Sequence, residues 1–131
     1  MVEVPPLMAP LFVPATRPDR IAKAAQSGAD AVIVDLEDSV PSSGKQSARD
    51  GLASWLGDLP VPVFIRVNGL GTSWFQDDLQ LARHAGVAGV MLPKTETPAD
   101  LAAVGEGLTV IGLVETAIGI TSLPAICGAT N

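Results

Sequence analysis

Five short, apolar, β-branch-rich runs are spaced along the 131-residue chain, and they gather polar residues where they end. They are LMAPLFVP from Leu7, AVIVDLE from Ala31, VPVFIRVN from Val61, AGVMLPK from Ala88 and LTVIGLVE from Leu108. Near-continuous hydrophobicity over so few residues suits strands buried on both faces. Segments with helix-start chemistry lie between the runs: Thr16 with Asp19, Ser73 with Gln76, and Thr97 with Pro98 and Asp100. In each, a side-chain oxygen is placed to cap open backbone amides, and an acid or amide three residues on can return the bond. Gly28 and Gly86 stand where last helical turns are expected to close in a left-handed residue. Such alternation predicts an α/β fold with a parallel sheet, because parallel strands need a crossover long enough to hold a helix. No low-complexity stretch or linker divides the chain, so residues 1–131 read as a single domain.

Strand side chains alternate, and the alternation sorts the polar residues. In the second run Val32, Val34 and Leu36 share one face, while Asp35 and Glu37 share the other with Ala31 and Ile33. In the third, Arg66 and Asn68 fall with Phe64, opposite Val63, Ile65 and Val67. The fourth run ends at Lys94, and the fifth at Glu115, in phase with Ile111 and Leu113. Sites in parallel α/β folds form at the C-terminal ends of the strands, where loops vary and the strand bodies are held by packing. Asp35, Glu37, Arg66, Asn68, Lys94 and Glu115 are therefore expected on one rim. Mutually paired surface charges are the plainer reading of any one of them; the same polarity on four strands favours a site.

Composition narrows the partners. Fourteen acidic against eight basic residues give a net charge of −6, which opposes binding to nucleic acids and anionic membranes. Hydrophobic residues make up 47% of the chain, enough for a real core. No charged leader with a long apolar run opens the sequence, and no stretch of roughly 18 apolar residues appears. The single cysteine, Cys127, cannot close an intrachain disulfide and has no ligand-spaced partner, so a reducing, cytoplasmic setting is expected.

Six ordered blocks carry a resemblance: LFVPATRPDRIAKA from Leu11, GADAVIVDLEDSV from Gly28, KQSAR from Lys45, IRVNGLGTSWFQDDL from Ile65, GVMLPK from Gly89 and GLVETAIGI from Gly112. With them the chain resembles the citrate lyase β-subunit-like enzymes of the HpcH/HpaI aldolase/citrate lyase family. The resemblance implies a TIM-type (β/α)8 barrel and a Mg²⁺-dependent carbon–carbon lyase cleaving a citryl- or malyl-coenzyme A-like thioester through an enolate. By the same resemblance, Arg66 binds the substrate carboxylate and the oxygen that becomes the enolate; Asn68, which parity sets beside it, is a further substrate-binding candidate. Glu115 is implied as a metal ligand. Asp35, Glu37 and Asp38 form the acidic loop beside the metal, acting through water and neighbouring side chains, and Lys94 joins that surround. Arg17 and Lys23 are candidates for coenzyme A phosphates, with a solvated helix face as the competing reading. Homo-oligomers, trimers or hexamers, are implied as well. Two departures bear on substrate fit: Ile118 stands where many relatives have arginine, and PATRP replaces PGSRP.

Length is the larger departure. A complete barrel takes about 250 residues, and this chain supplies about five βα units. It is expected to be the N-terminal part of such a barrel, with a second metal ligand, an aspartate of the sixth strand, beyond Asn131. Activity is then expected of the full-length parent and not of these 131 residues alone. Two other readings compete: a 2-oxo-acid (pyruvate) class II aldolase, and a non-catalytic half-barrel or binding module. The aldolase reading calls for a histidine base, and the one histidine, His84, falls in a last helical turn that favours a cation for its dipole. Trp55, Trp74 and Phe75 suit packing or loop anchoring, and Gly69-Leu70-Gly71 completes neither phosphate-loop pattern.

Overall fold

The computed structural model describes residues 6–84 and 87–129. Strands β1 (Leu11–Pro14), β2 (Val32–Asp35), β3 (Val63–Arg66), β4 (Val87–Leu92) and β5 (Thr109–Gly112) form one all-parallel sheet in sequence order. The first, second, third and fifth runs each contain a strand shorter than the run, and β4 starts at Val87, one residue before the fourth run. Helices α1 (Ile21–Ala25), α2 (Lys45–Leu52), α3 (Phe75–Ala82) and α4 (Pro98–Ala102) make the crossovers, and α5 (Ala117–Thr121) and α6 (Leu123–Cys127) follow β5. Consecutive parallel neighbours joined by right-handed crossovers must carry their helices on one side of the sheet.

The packing divides accordingly. Val13, Val34, Ile65, Val90 and their in-phase neighbours meet Ile21, Ala25, Leu52, Leu79 and Ala82 of the helices in one large apolar cluster. The opposite face holds a smaller cluster without helix residues, Ile33, Phe64 and Met91 of the strands with Ala31 just before β2. This is the arc of a barrel, helices outside and strand side chains within. The parity expectation holds, since Asp35 and Arg66 extend the inner set.

Helix starts were less legible. Thr97 forms the expected capping box with Asp100. Thr16 does not cap: a 3-10 turn spans Pro18–Arg20 instead, and Asp19 binds Arg17. Trp74, not Ser73, precedes α3 without a side-chain cap. Thr116, with no acid or amide three residues on to mark it, caps α5 by accepting the Gly119 amide at 3.1 Å. Gly28 adopts φ +93°, the left-handed closure expected after α1. Gly86 lies outside the described residues.

Candidate active-site rim

Asp35 and Arg66 are Cα partners in the β2–β3 register. Both point to the inner face, and the fork of Arg66 meets the carboxylate with two parallel bonds, Nε to Oδ1 and Nη2 to Oδ2, each 2.8 Å. Asp35 also accepts the backbone amides of Glu37 at 2.8 Å and Ser39 at 2.9 Å, which folds the DLED segment into a tight turn above the strand. Burial pushes the Asp35 carboxyl up, but the Arg66 fork and the amides outweigh it and hold it down at about 2. Asp35 in turn raises the Arg66 guanidinium, which reaches across β2 to lie 5.2 Å from the ring centroid of Phe12 on β1. With one edge committed to Asp35, Arg66 turns Nη1 toward Glu37 Oε2 and Asp38 Oδ2, each 3.7 Å away and beyond hydrogen-bond range.

Glu37 carries one oxygen in an unusual position. Its Oε1 accepts the Lys94 ammonium. Its Oε2 is buried and accepts no hydrogen bond among the described residues. Lys94 joins the fourth strand's end to the fifth, because its backbone amide donates to Glu115 Oε1 at 3.0 Å. Glu115 itself is exposed at the rim. Arg66, Asp35, Glu37, Asp38, Lys94 and Glu115 are thus connected as one polar rim at the C-terminal ends of β2 to β5.

Three expected members stand elsewhere. Asn68 is 2% exposed, and its Nδ2 donates to Leu36 O at 3.1 Å and Asp78 Oδ2 at 2.6 Å. Its amide also donates to Asp78 Oδ2 at 2.8 Å, so Asn68 braces the rim from beneath and does not face a ligand. Strand parity had put it beside Arg66, but β3 ends at Arg66 and parity no longer governs two residues on. Arg17 follows β1 near the rim, with Nε and Nη2 bound by Asp19. Lys23 is exposed on α1. His84 precedes β4, at the sheet edge opposite the rim.

Lys45 was missed as part of the rim. It opens α2 with its side chain buried, and its ammonium donates at 2.8 Å to the carbonyls of both Leu36 and Glu37. It also lies 5.2 Å from the Trp74 ring centroid. Burial pushes its ammonium pKa down, against the pull of Asp78, Asp35, Glu37 and Asp38. A lysine nine residues after Leu36 was the available signal, but a helix-start lysine reads as a solvated charge until the turn that brings it under the loop is known.

The donor set suits a hard cation in part. Among the described residues no group of three or more His, Cys, Asp or Glu side chains could hold a metal. Mg²⁺ is commonly held by one or two carboxylates with substrate and water oxygens completing its shell. Glu115 is exposed and has a single oxygen engaged by an amide, which fits one such carboxylate; Asp35 is committed to Arg66.

Residues 9–131 match the HpcH/HpaI aldolase/citrate lyase family. A citrate lyase subunit beta-like protein of Mycobacterium tuberculosis is 42% identical over 119 residues, 91% of this chain and 41% of that protein. A (3S)-malyl-CoA thioesterase of Cereibacter sphaeroides is 32% identical over 127 residues, 92% of this chain and 45% of that protein. The solved Mycobacterium tuberculosis protein CitE in complex with magnesium, acetoacetate and coenzyme A superposes with a TM-score of 0.81 at 40% identity, over 95% of this chain and 46% of that one. The chain therefore spans somewhat less than half the length of these relatives and matches their N-terminal part. Sequence, inner-face rim and superposition agree, and the chain belongs to the HpcH/HpaI aldolase/citrate lyase family.

Proposed function

We propose that the complete barrel to which this chain contributes is a Mg²⁺-dependent carbon–carbon lyase of the citrate lyase β-subunit type. Its substrate is a citryl- or malyl-coenzyme A-like thioester, cleaved through an enolate. The observation that carries this reading is the arginine of β3: bound bidentately on one edge by Asp35, with its remaining Nη1 turned to the rim beside Glu37 and Asp38. A fixed, planar cation so oriented suits an oxygen on which negative charge develops, and its orientation is established before substrate arrives.

Glu115 would hold the Mg²⁺ together with a carboxylate outside this chain. The bound ion supplies Lewis-acid stabilisation of charge on substrate oxygens. Arg66 binds a substrate carboxylate and the developing enolate oxygen. Asp35 keeps the Arg66 fork from rotating, and Lys45, from below, fixes the peptide that carries Glu37. Arg17 and Lys23 remain the candidates for coenzyme A phosphates, with Arg17 first exchanging Asp19 for the phosphate. We place the protein in the cytoplasm, in keeping with its single cysteine, and as a homo-oligomer on its family resemblance alone.

The test is an assay of the full-length protein with citryl-CoA and (3S)-malyl-CoA, with Mg²⁺ and with the metal chelated. Cleavage of at least one thioester that vanishes on chelation is expected. Absence of thioester cleavage together with Mg²⁺-dependent condensation of pyruvate with an aldehyde would move the protein to the aldolase class.

A further inference from the structure

Lys94 has a left-handed backbone, φ 52°, the only positive φ outside glycine among the described residues. Side chains resist that region, and such strain persists where the surroundings enforce it, often at functional sites. The β4–β5 ladder shows what enforces it. The Leu113 amide donates to Leu92 O at 2.9 Å, and a regular parallel ladder would return the Lys94 amide to Leu113 O. The Thr95 amide takes that place instead, at 3.0 Å. One residue is inserted, as in a bulge, and bulges re-aim groups next to active sites. The Lys94 amide is thereby released from the sheet and donates to Glu115 Oε1.

The side chain of the same residue makes the second link, from Nζ to Glu37 Oε1. Glu37 is thereby held by one oxygen, and its other oxygen stays buried, without a hydrogen bond, 3.7 Å from Arg66 Nη1. The Lys94 side chain is 56% exposed, so its place is set by these bonds and not by packing.

We propose that Lys94 is a positioning residue that aligns both halves of the rim: its bulged amide orients the Glu115 carboxylate, and its ammonium holds Glu37 so that Oε2 and Arg66 Nη1 face one ligand together. The inference rests on the lyase reading for its kinetic consequence, but not for its structural one.

Two substitutions separate the two links. Lys94→Gly keeps the amide, tolerates the left-handed backbone and removes the ammonium. Lys94→Cys, alkylated with 2-bromoethylamine in a background where Cys127 and any other cysteine of the full-length protein are replaced by serine, restores an ammonium at nearly the original reach. In the full-length protein, Lys94→Gly is expected to keep Mg²⁺ affinity and KM within about threefold while kcat falls about 10- to 100-fold, the usual scale for loss of an outer supporting contact. Aminoethylation is expected to recover most of kcat. A kcat equal to wild type in Lys94→Gly, or a loss that aminoethylation does not repair, overturns the proposal. The structural arm is read without substrate, from ¹³C-carboxyl NMR. In Lys94→Gly the Glu37 resonance is expected to move and that of Glu115 to stay; an unmoved Glu37 resonance overturns the proposal even if the wild-type protein cleaves no thioester. Failure of the lyase reading alone shows as a wild type without cleavage whose Glu37 resonance still depends on Lys94.

Discussion

Asp35 and Arg66 are adjacent in register, and their pairing follows from two strands whose inner-face positions end at the same level. Removing one partner leaves the other buried or half-buried without its counter-charge. Arg66→Ala is therefore expected to destabilise the fold by about 3 kcal/mol, read from urea unfolding at neutral pH. The pH dependence has a definite sign. The folded Asp35 carboxyl is held at about 2, below the 3.8 of a free aspartate, so its contribution is present above about pH 4 and is lost as pH falls toward 2. That loss amounts to about 1–2 kcal/mol after allowance for solvent screening. Asp35→Asn is expected to flatten this part of the curve of unfolding midpoint against pH, and an unchanged slope would place the acid sensitivity elsewhere. Parity made these two residues legible in the sequence. It failed for Asn68 because Asp78, an ordinary helix acid by pattern, is fully buried and binds Asn68 from α3.

Among the elements, β4 is tightly constrained at Gly89. A Cβ on Gly89 would stand 2.1 Å from Thr109 O, a backbone atom of the neighbouring strand that cannot give way cheaply. Gly89→Ala is expected to cost more than about 2 kcal/mol, measured as a fall in the thermal or urea midpoint. The caps make a sharper comparison. Thr97→Ala removes a real capping box and is expected to cost about 1 kcal/mol, whereas Ser73→Ala, at a position that only looks like a cap, is expected to stay within about 0.5 kcal/mol. Equal losses at both positions would contradict the assignment. Strand existence was legible because burial writes a near-continuous apolar run. Helix starts were not, because serine, threonine and aspartate satisfy turns as readily as caps, as Asp19 does with Arg17 and Thr72 does by donating to Gly69 O. The bulge at Lys94 left no sequence signal beyond an unremarkable Pro-Lys pair, since it shows only in the bonds exchanged with Leu113, just past the neighbouring β5.

Over the whole molecule, sequence-ordered parallel strands with helices on one face make an arc whose concave side gathers the rim residues at one end. The edge strands show it in their burial: β2 is buried throughout, whereas the inner-face Phe12 of β1 is 46% exposed and β5 is only partly covered. Glu115 is an exposed carboxylate of the rim, and no three-donor group stands among the described residues. Residues 1–131 expressed alone are accordingly expected to show no Mg²⁺-dependent cleavage of citryl-CoA or malyl-CoA, and turnover by that segment would contradict the need for a second ligand outside it. The family was legible from six ordered blocks. The division of labour within the rim was not, because Lys45 and Lys94 act through backbone groups that a residue pattern does not show.

The central claim is that Arg66, held by Asp35, meets the oxygen on which charge develops. It is tested most directly by kcat/KM for Mg²⁺-dependent thioester cleavage in the full-length protein and in its Arg66→Lys variant, which keeps the charge and loses the planar fork. A fall of about 100-fold or more, with the fold intact by circular dichroism, is the predicted result. A rate equal to the wild type would contradict it.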